Sequence, residues 1–211
     1  MTVNTAASAT RHLYLVRHGE ALPDESGLSE RGRRQAELLG RRLAGRPIRV
    51  LHHGPLPRAT QTAELIAGQL TGVEVRAEEC AGDYVPHVPV RDELPPDCAD
   101  HLLRFLSSAT EEERERGPEL AREAVARFTG PVPGGTDRHE LVVTHNFLIG
   151  WLVRHALDAP PWRWLGLDHA NAALTVLRYA PGRPTTVALL NDMRHLPDDL
   201  RWTGFPPELH L

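Results

Sequence analysis

The sequence predicts an α/β fold, a three-layer α/β/α sandwich around a mostly parallel sheet. Three observations carry that expectation. Short apolar runs rich in strand formers alternate with segments whose apolar residues recur at helical spacing. Turn-forming residues separate the two kinds of segment. The unusual polar residues fall where the predicted strands end, the edge of an open α/β sheet at which ligands bind.

The elements follow in order. The chain has 211 residues, so residues 1–10 are read as a loose tail and 11–211 as one domain. A domain of this size buries roughly 70% of the surface its unfolded chain exposes, so it needs no staple. Residues 12–16 form a run of strand formers that ends at Arg17-His18-Gly19. Ser29 is placed to cap a helix carrying Ala36, Leu39 and Leu43 on one face, and Gly45 and Pro47 stop it. Residues 49–52 predict a second strand. A second helix starts at about Pro57, with Ala59, Ala63, Ile66 and Leu70 on one face, and 74–79 predict a third strand.

Pro86, Pro89, Pro95 and Pro96 make 82–98 a long loop. Residues 100–128 are predicted to be helical in two pieces, broken near Gly117-Pro118, with 111–116 as a solvated, charged face. A turn-rich break at 131–135 precedes a strand over 140–144 and an amphipathic helix over 146–156. Strands over 172–179 and 185–190 close the chain as a pair about the Pro181-Gly182 turn.

Composition narrows the function. Apolar residues make up 41% and charged residues 25%, as in an ordinary soluble domain. The net charge of −4 gives no basic field of the kind that holds nucleic acid. All 24 basic residues are arginine, which excludes a P-loop lysine, a Schiff-base lysine and a lysine general base. Two cysteines, Cys80 and Cys98, fit a reducing compartment. The first ten residues lack the basic and apolar regions of a signal peptide. No stretch reaches the roughly 18 apolar residues of a membrane span. The expectation is a cytoplasmic protein with no membrane or nucleic-acid partner.

The polar residues at the strand ends share one chemistry. Arg17 and His18 follow the first strand, Arg58 opens the helix after the second, Asp83 follows the third, and His145 follows 140–144. A neutral imidazole nitrogen attacks phosphorus. Guanidinium groups grip phosphate oxygens in a bidentate fork and neutralise transition-state charge. Arginine neighbours also keep a histidine neutral. A carboxyl group protonates the leaving oxygen and then deprotonates water. No step needs a metal or another cofactor. His52-His53 lacks the spacing of a metal pair, and His12, His52, His53 and His195 are read as structural. Trp151, Trp162 and Trp164 are read as core.

These residues lie in four ordered motifs: Leu15-Val16-Arg17-His18-Gly19-Glu20, Leu28-Ser29-Glu30-Arg31-Gly32 with Gln35-Ala36, Pro55-Leu56-Pro57-Arg58-Ala59-Thr60-Gln61-Thr62-Ala63, and Val142-Val143-Thr144-His145. Together they resemble the histidine phosphatase superfamily, also called phosphoglycerate mutase-like, and the likeness spans most of the chain. The resemblance implies a phosphoglycerate mutase-like fold and phosphomonoester hydrolysis through a phosphohistidine on His18. Arg17, Arg58 and His145 would complete the phosphate pocket, with His145 also counted as catalytic.

The resemblance places the acid/base among Asp83, Glu79 and Glu78. Asp83 is preferred because it lies just past a strand end, and the proline-rich stretch 84–98 beside it is read as a lid. Two positions depart from the pattern: Gly54 stands where many members have Ser, and Asn146 where a small residue is usual. The segment after His18 lacks the Trp-Asn pair and long insertion of true phosphoglycerate mutases, which implies the shorter phosphatase branch. The expected substrate is a phosphorylated small molecule or a phosphoprotein. The rivals are a phosphomutase or phosphotransferase using the same pocket, and a catalytically weak phosphate-binding module.

Overall fold

The structure is a computed structural model describing residues 7–210. In chain order its first elements are β1 (Ser8–Ala9), β2 (Arg11–Arg17), α1 (Glu30–Leu43), β3 (Ile48–His53), α2 (Pro57–Ala67) and β4 (Glu74–Ala77). Then come α3 (Ala99–Phe105), α4 (Glu111–Phe128), β5 (Val132–Pro133), β6 (Arg138–Thr144), α5 (Asn146–Ala156), β7 (Leu174–Tyr179) and β8 (Thr186–Asp192).

Six strands form one sheet in the order β4-β3-β6-β2-β7-β8. The first four are parallel, β7 runs antiparallel to β2, and β8 antiparallel to β7. This is the mostly parallel sheet expected, with the tight Pro181-Gly182 turn joining the last pair.

Both faces of the sheet are covered, so the central strands are apolar almost throughout rather than alternating. Leu13 and Leu15 of β2, Val142 of β6 and Leu177 of β7 face α4 and α5, where they meet Ala121, Ala124, Phe128, Leu148, Ile149 and Leu152. Tyr14 and Val16, the intervening residues of β2, face the other way. With Leu141, Val143 and Leu51 they pack on Ala36, Leu39 and Leu43 of α1 and Ala59, Ala63 and Ile66 of α2. Ser29 caps α1 as expected, its hydroxyl accepting from the Gly32 N–H at 3.0 Å. Pro57 opens α2, where its missing N–H costs nothing.

Several boundaries differ from the sequence reading. The predicted tail is partly structured. Ser8–Ala9 pairs antiparallel with Val132–Pro133, inside the segment read as a turn-rich break, and the Thr10 N–H donates to Asp137 at 2.9 Å. Residues 1–6 lie outside the described residues. The break between α3 and α4 falls at 106–110, not at Gly117-Pro118, and Pro118 lies inside α4. The cause is a capping box: Thr110 accepts from the Glu113 N–H while Glu113 accepts from the Thr110 N–H, which fixes the start of α4. The third strand stops at Ala77, and residues 79–81 form a 3₁₀ turn.

The order of the sheet positions the site. β6 lies between β3 and β2, so three parallel carboxyl ends are neighbours. Backbone bonds tie them together: the His18 N–H donates to the Thr144 carbonyl at 2.9 Å and the Gly54 N–H to the Val143 carbonyl at 3.1 Å.

Candidate active site

Arg17 is the last residue of β2. Its Nη1 donates to two backbone carbonyls, of His169 at 2.7 Å and Gly204 at 2.6 Å. Its Nε is buried with no partner. The guanidinium is thus fixed at one end and open at the other, where an oxyanion would satisfy it.

His18 follows, buried at the turn out of β2. Its Nδ1 lies 2.7 Å from the Gly19 carbonyl, which can only accept. The proton is therefore on Nδ1, and Nε2 carries the lone pair. Burial, then His145, Arg17 and Arg58, lower its pKa to about 3 against the opposing Gly19 bond. His18 is neutral at any physiological pH. Its turn is pinned to α2, because the Gly19 N–H donates to Thr62 Oγ1 at 3.0 Å and that hydroxyl donates to the Arg58 carbonyl at 2.7 Å.

Arg58 lies in the first turn of α2 and is buried. Its Nη2 donates to Asp83 Oδ2 at 2.7 Å and its Nη1 to Glu25 Oε2 at 3.1 Å. His145, at the N-cap of α5, lies with its ring centroid 5.0 Å from that of His18. Its Nδ1 is 3.4 Å from Asp83 Oδ2, and neither ring nitrogen has a hydrogen-bond partner. Burial, then Arg58 and Arg17, lower its pKa to about 3.

All five residues singled out from the sequence therefore meet at one edge of the sheet. Of the three carboxylates considered, Asp83 is the one that reaches Arg58 and His145. Glu78 is turned toward His52 at 3.0 Å and Arg127 at 3.1 Å, and Glu79 is exposed on the 3₁₀ turn. The Thr144 hydroxyl donates to the Ala81 carbonyl at 2.7 Å, holding the Asp83 segment against β6.

Gly54 explains itself here. A Cβ at that position would sit 2.5 Å from the Ala81 carbonyl, so the close approach leaves no room for a serine. In the stretch read as a lid, the first part is packed and much of 90–97 is exposed. Val85 and Val88 lie against Leu106, Trp164 and Leu165, and Trp164 Nε1 donates to the His87 carbonyl at 3.1 Å.

Other residues of the site were not legible in the sequence. Glu25 is one. His169 is another: it is buried, and burial, then Arg17, lower its pKa to about 3. Asn146, seen only as a departure, accepts from the His169 N–H at 2.8 Å and donates to Asp168 at 2.9 Å. Asn171 donates to the His18 carbonyl at 2.9 Å. Gly204 (φ +69°) presses so close that a Cβ would lie 2.9 Å from Arg17 Nη1. The contacts of Arg17, His18 and His169 run through backbone groups of distant segments, and those of Glu25 and Asn146 join side chains far apart in the chain, so none leaves a local motif. Among the described residues no group of three or more His, Cys, Asp or Glu is arranged to hold a metal ion.

Known proteins resemble the chain in sequence and in fold. The family model described as histidine phosphatase superfamily (branch 1) matches residues 13–192. The chain is 30% identical over 208 residues to the mitochondrial serine/threonine-protein phosphatase Pgam5 of Caenorhabditis briggsae, covering 93% of this chain and 69% of that protein. It is 29% identical over 203 residues to human PGAM5, covering 92% and 66%. It thus spans about two thirds of these relatives.

Bacillus stearothermophilus YhfR matches in structure with a TM-score of 0.63 at 24% identity, covering 88% of this chain and 98% of that one. A phosphoglycerate mutase from Plasmodium falciparum matches at 0.59 and 20%, covering 90% and 96%. At these identities the two show the shared fold. The curated relatives are named mitochondrial, so they lend no support to the cytoplasmic expectation. Among the described residues no helix is long and apolar enough to cross a membrane. The chain belongs to the histidine phosphatase superfamily, branch 1, and is a hydrolase of phosphate monoesters.

Proposed function

We propose that the chain hydrolyses its phosphomonoester through a phosphohistidine on His18, with a phosphorylated small molecule or a phosphoprotein as substrate. The observation that carries this reading is the fixed, neutral state of His18, its Nδ1 tied to the Gly19 carbonyl beside an arginine whose buried Nε has no partner. The Nε2 lone pair attacks phosphorus as the P–O ester bond breaks. Arg17 and Arg58 hold the equatorial oxygens. His145, neutral in the empty site, donates to one of them through a ring N–H. Asp83, in its protonated form, gives its proton to the leaving oxygen.

In the second step the Asp83 carboxylate takes a proton from water, the water oxygen bonds to phosphorus, and the N–P bond breaks. Arg58 holds Asp83 at 2.7 Å in the free protein. A phosphate on Arg58 draws the guanidinium away and frees the carboxyl for this work.

The test is a phosphoenzyme trap combined with leaving-group dependence. Rapid quenching should give an acid-labile, alkali-stable phosphoenzyme that His18→Ala lacks, and His18→Ala should release no phosphate from any ester. Asp83→Asn should lose about 10²- to 10⁴-fold on an alkyl phosphate and far less on p-nitrophenyl phosphate, whose leaving group needs little protonation. An acid-stable phosphoenzyme, or turnover kept by His18→Ala, would overturn the reading.

A further inference from the structure

A cleft of about 450 Å³ opens beside the phosphate site. Two of its lining residues adjoin residues of the site in the chain. Asn146 follows His145 in the chain, and Asp168 precedes His169, whose carbonyl holds Arg17. Its wall is aromatic. Phe105 meets Phe147 edge-on at 6.1 Å, and Phe147 meets Trp164 edge-on at 4.9 Å. Phe105 is 52% exposed on α3 and lines the cleft. The titratable groups of the lining are the carboxylates Asp168 and Glu208 and the imidazole of His101, and no arginine is among the described lining residues.

We infer that this cleft receives the leaving group of the substrate, and that this group is an uncharged apolar body of aromatic size with no second anion. The inference rests on the phosphatase reading above and adds the substrate class to it. The two arginines of the site are taken up by the phosphoryl oxygens. A carboxylate or second phosphate on the leaving group would lie beside Asp168 and Glu208 with no permanent cation of the lining to meet it, the imidazole of His101 being the one basic group there, and that costs binding. An apolar ring instead covers Phe105 and Phe147 and leaves water. The volume lies within the range of small-molecule pockets, roughly 300–1,000 Å³.

Three alkyl phosphates test this, because their leaving alcohols are similar in basicity and their chemistry is therefore matched. They are 2-naphthylmethyl phosphate, ethyl phosphate and 3-phosphoglycerate. The expected order of kcat/KM is naphthylmethyl over ethyl by roughly 10- to 100-fold, a ratio in the range that apolar pockets give, with 3-phosphoglycerate below ethyl.

Phe105→Ala, at an exposed position where folding is not at stake, should cut the naphthylmethyl-to-ethyl ratio several-fold. Asp168→Asn should narrow the gap between ethyl phosphate and 3-phosphoglycerate. A naphthylmethyl-to-ethyl ratio near one, or 3-phosphoglycerate as the best of the three, overturns the cleft assignment while leaving the histidine mechanism in place. Failure to hydrolyse any of the three, with p-nitrophenyl phosphate also untouched, overturns the phosphatase reading beneath it.

Discussion

Arg11 and Arg17 sit at opposite ends of one strand, and their surroundings could hardly differ more. Arg11 Nη1 meets Glu140 at 2.6 Å and the Arg127 carbonyl at 3.0 Å, and its Nε donates to the Gly130 carbonyl at 3.0 Å. Its charge is matched by a carboxylate that is 3% exposed. Arg17 has two carbonyls on one nitrogen and a buried Nε with no partner. At that same end His145 has two unpartnered nitrogens and His169 one. Burying polar groups without partners is costly unless something arrives to satisfy them. The amino end holds a finished ion pair with one unpartnered hydroxyl beside it, that of Tyr179, and the carboxyl end gathers the unpartnered nitrogens of a socket for an anion.

Breaking each arginine should therefore damage a different property. Arg11→Ala leaves Glu140 buried with only Arg138 at 3.8 Å and His52 at 4.0 Å. The loss of stability should be about 3–5 kcal/mol, as for other broken buried pairs. Thermal denaturation should register it as a fall in Tm of about 10 °C, with kcat of the folded protein kept. Arg17→Ala should do the opposite. It removes a transition-state contact, worth about 10²- to 10³-fold in kcat. Its stability should stay within about 1 kcal/mol of wild type, because two lost carbonyl bonds are offset by removing a buried charge with no carboxylate in ion-pair contact, Asp83 and Asp168 acting on it only from a distance. Equal losses of stability in the two variants would erase the contrast.

Filling the socket is the converse experiment. Vanadate or phosphate at about a hundred times its Kd should stabilise the protein by about 2.7 kcal/mol. That corresponds to a Tm rise of roughly 5–10 °C in a chain of this length. Arg17→Ala should lose most of the rise and Arg11→Ala should keep it. Chelator should change neither the rise nor the activity, because Arg17 and Arg58 supply the positive charge. A rise that requires a divalent ion would assign the socket to a metal complex.

The finished end and the open end also differ in how far the sequence discloses them. His18, Arg58 and His145 are legible because each follows an apolar run whose length and spacing mark a strand or the helix behind it. Their convergence follows from the rule that ligands bind at the carboxyl ends of parallel strands. Asp83 is preferred in the sequence for lying just past a strand end, yet the strand stops at Ala77, and what separates it from its rivals is the 3₁₀ turn that follows, with Glu78 directed to His52 and Arg127. Gly204, Asn171 and the His169 carbonyl were hidden, because a backbone carbonyl is the same in every residue and its partner lies far away in the chain. The Arg11–Glu140 pair was hidden for a related reason: nothing local distinguishes a charged strand residue that pairs across the sheet from one that faces water. The helix breaks before Thr110 rather than at Gly117-Pro118 because the capping box fixes the start of α4, and Pro118 falls within that helix, which accommodates it.

The smallest expected effect is a pH dependence to which the open end contributes three histidines. His18, His145 and His169 titrate near 3 in the folded protein because burial excludes their charged forms. In the unfolded chain each takes a proton near 6.5. Between those values the unfolded state binds more protons, so acidification favours unfolding. The contribution to stability from neutral burial is complete above pH 6.5 and is lost progressively as pH falls toward 3. For His18 alone the change from pH 7 to pH 6 is about 1 kcal/mol or less, roughly 2–4 °C in Tm. His18→Asn should flatten the dependence of Tm on pH by that amount over that interval. Bound phosphate should flatten it too, because an anion beside His18 and His145 favours their protonated forms and draws the folded and unfolded pKa values together. Tm against pH for wild type, with and without phosphate, and for His18→Asn reads all three slopes. A wild-type Tm that rises on acidification from pH 7 to 6, or a phosphate-bound slope steeper than the free one, would mean that these histidines are charged in the empty site, and the socket would then carry more positive charge than its two arginines supply.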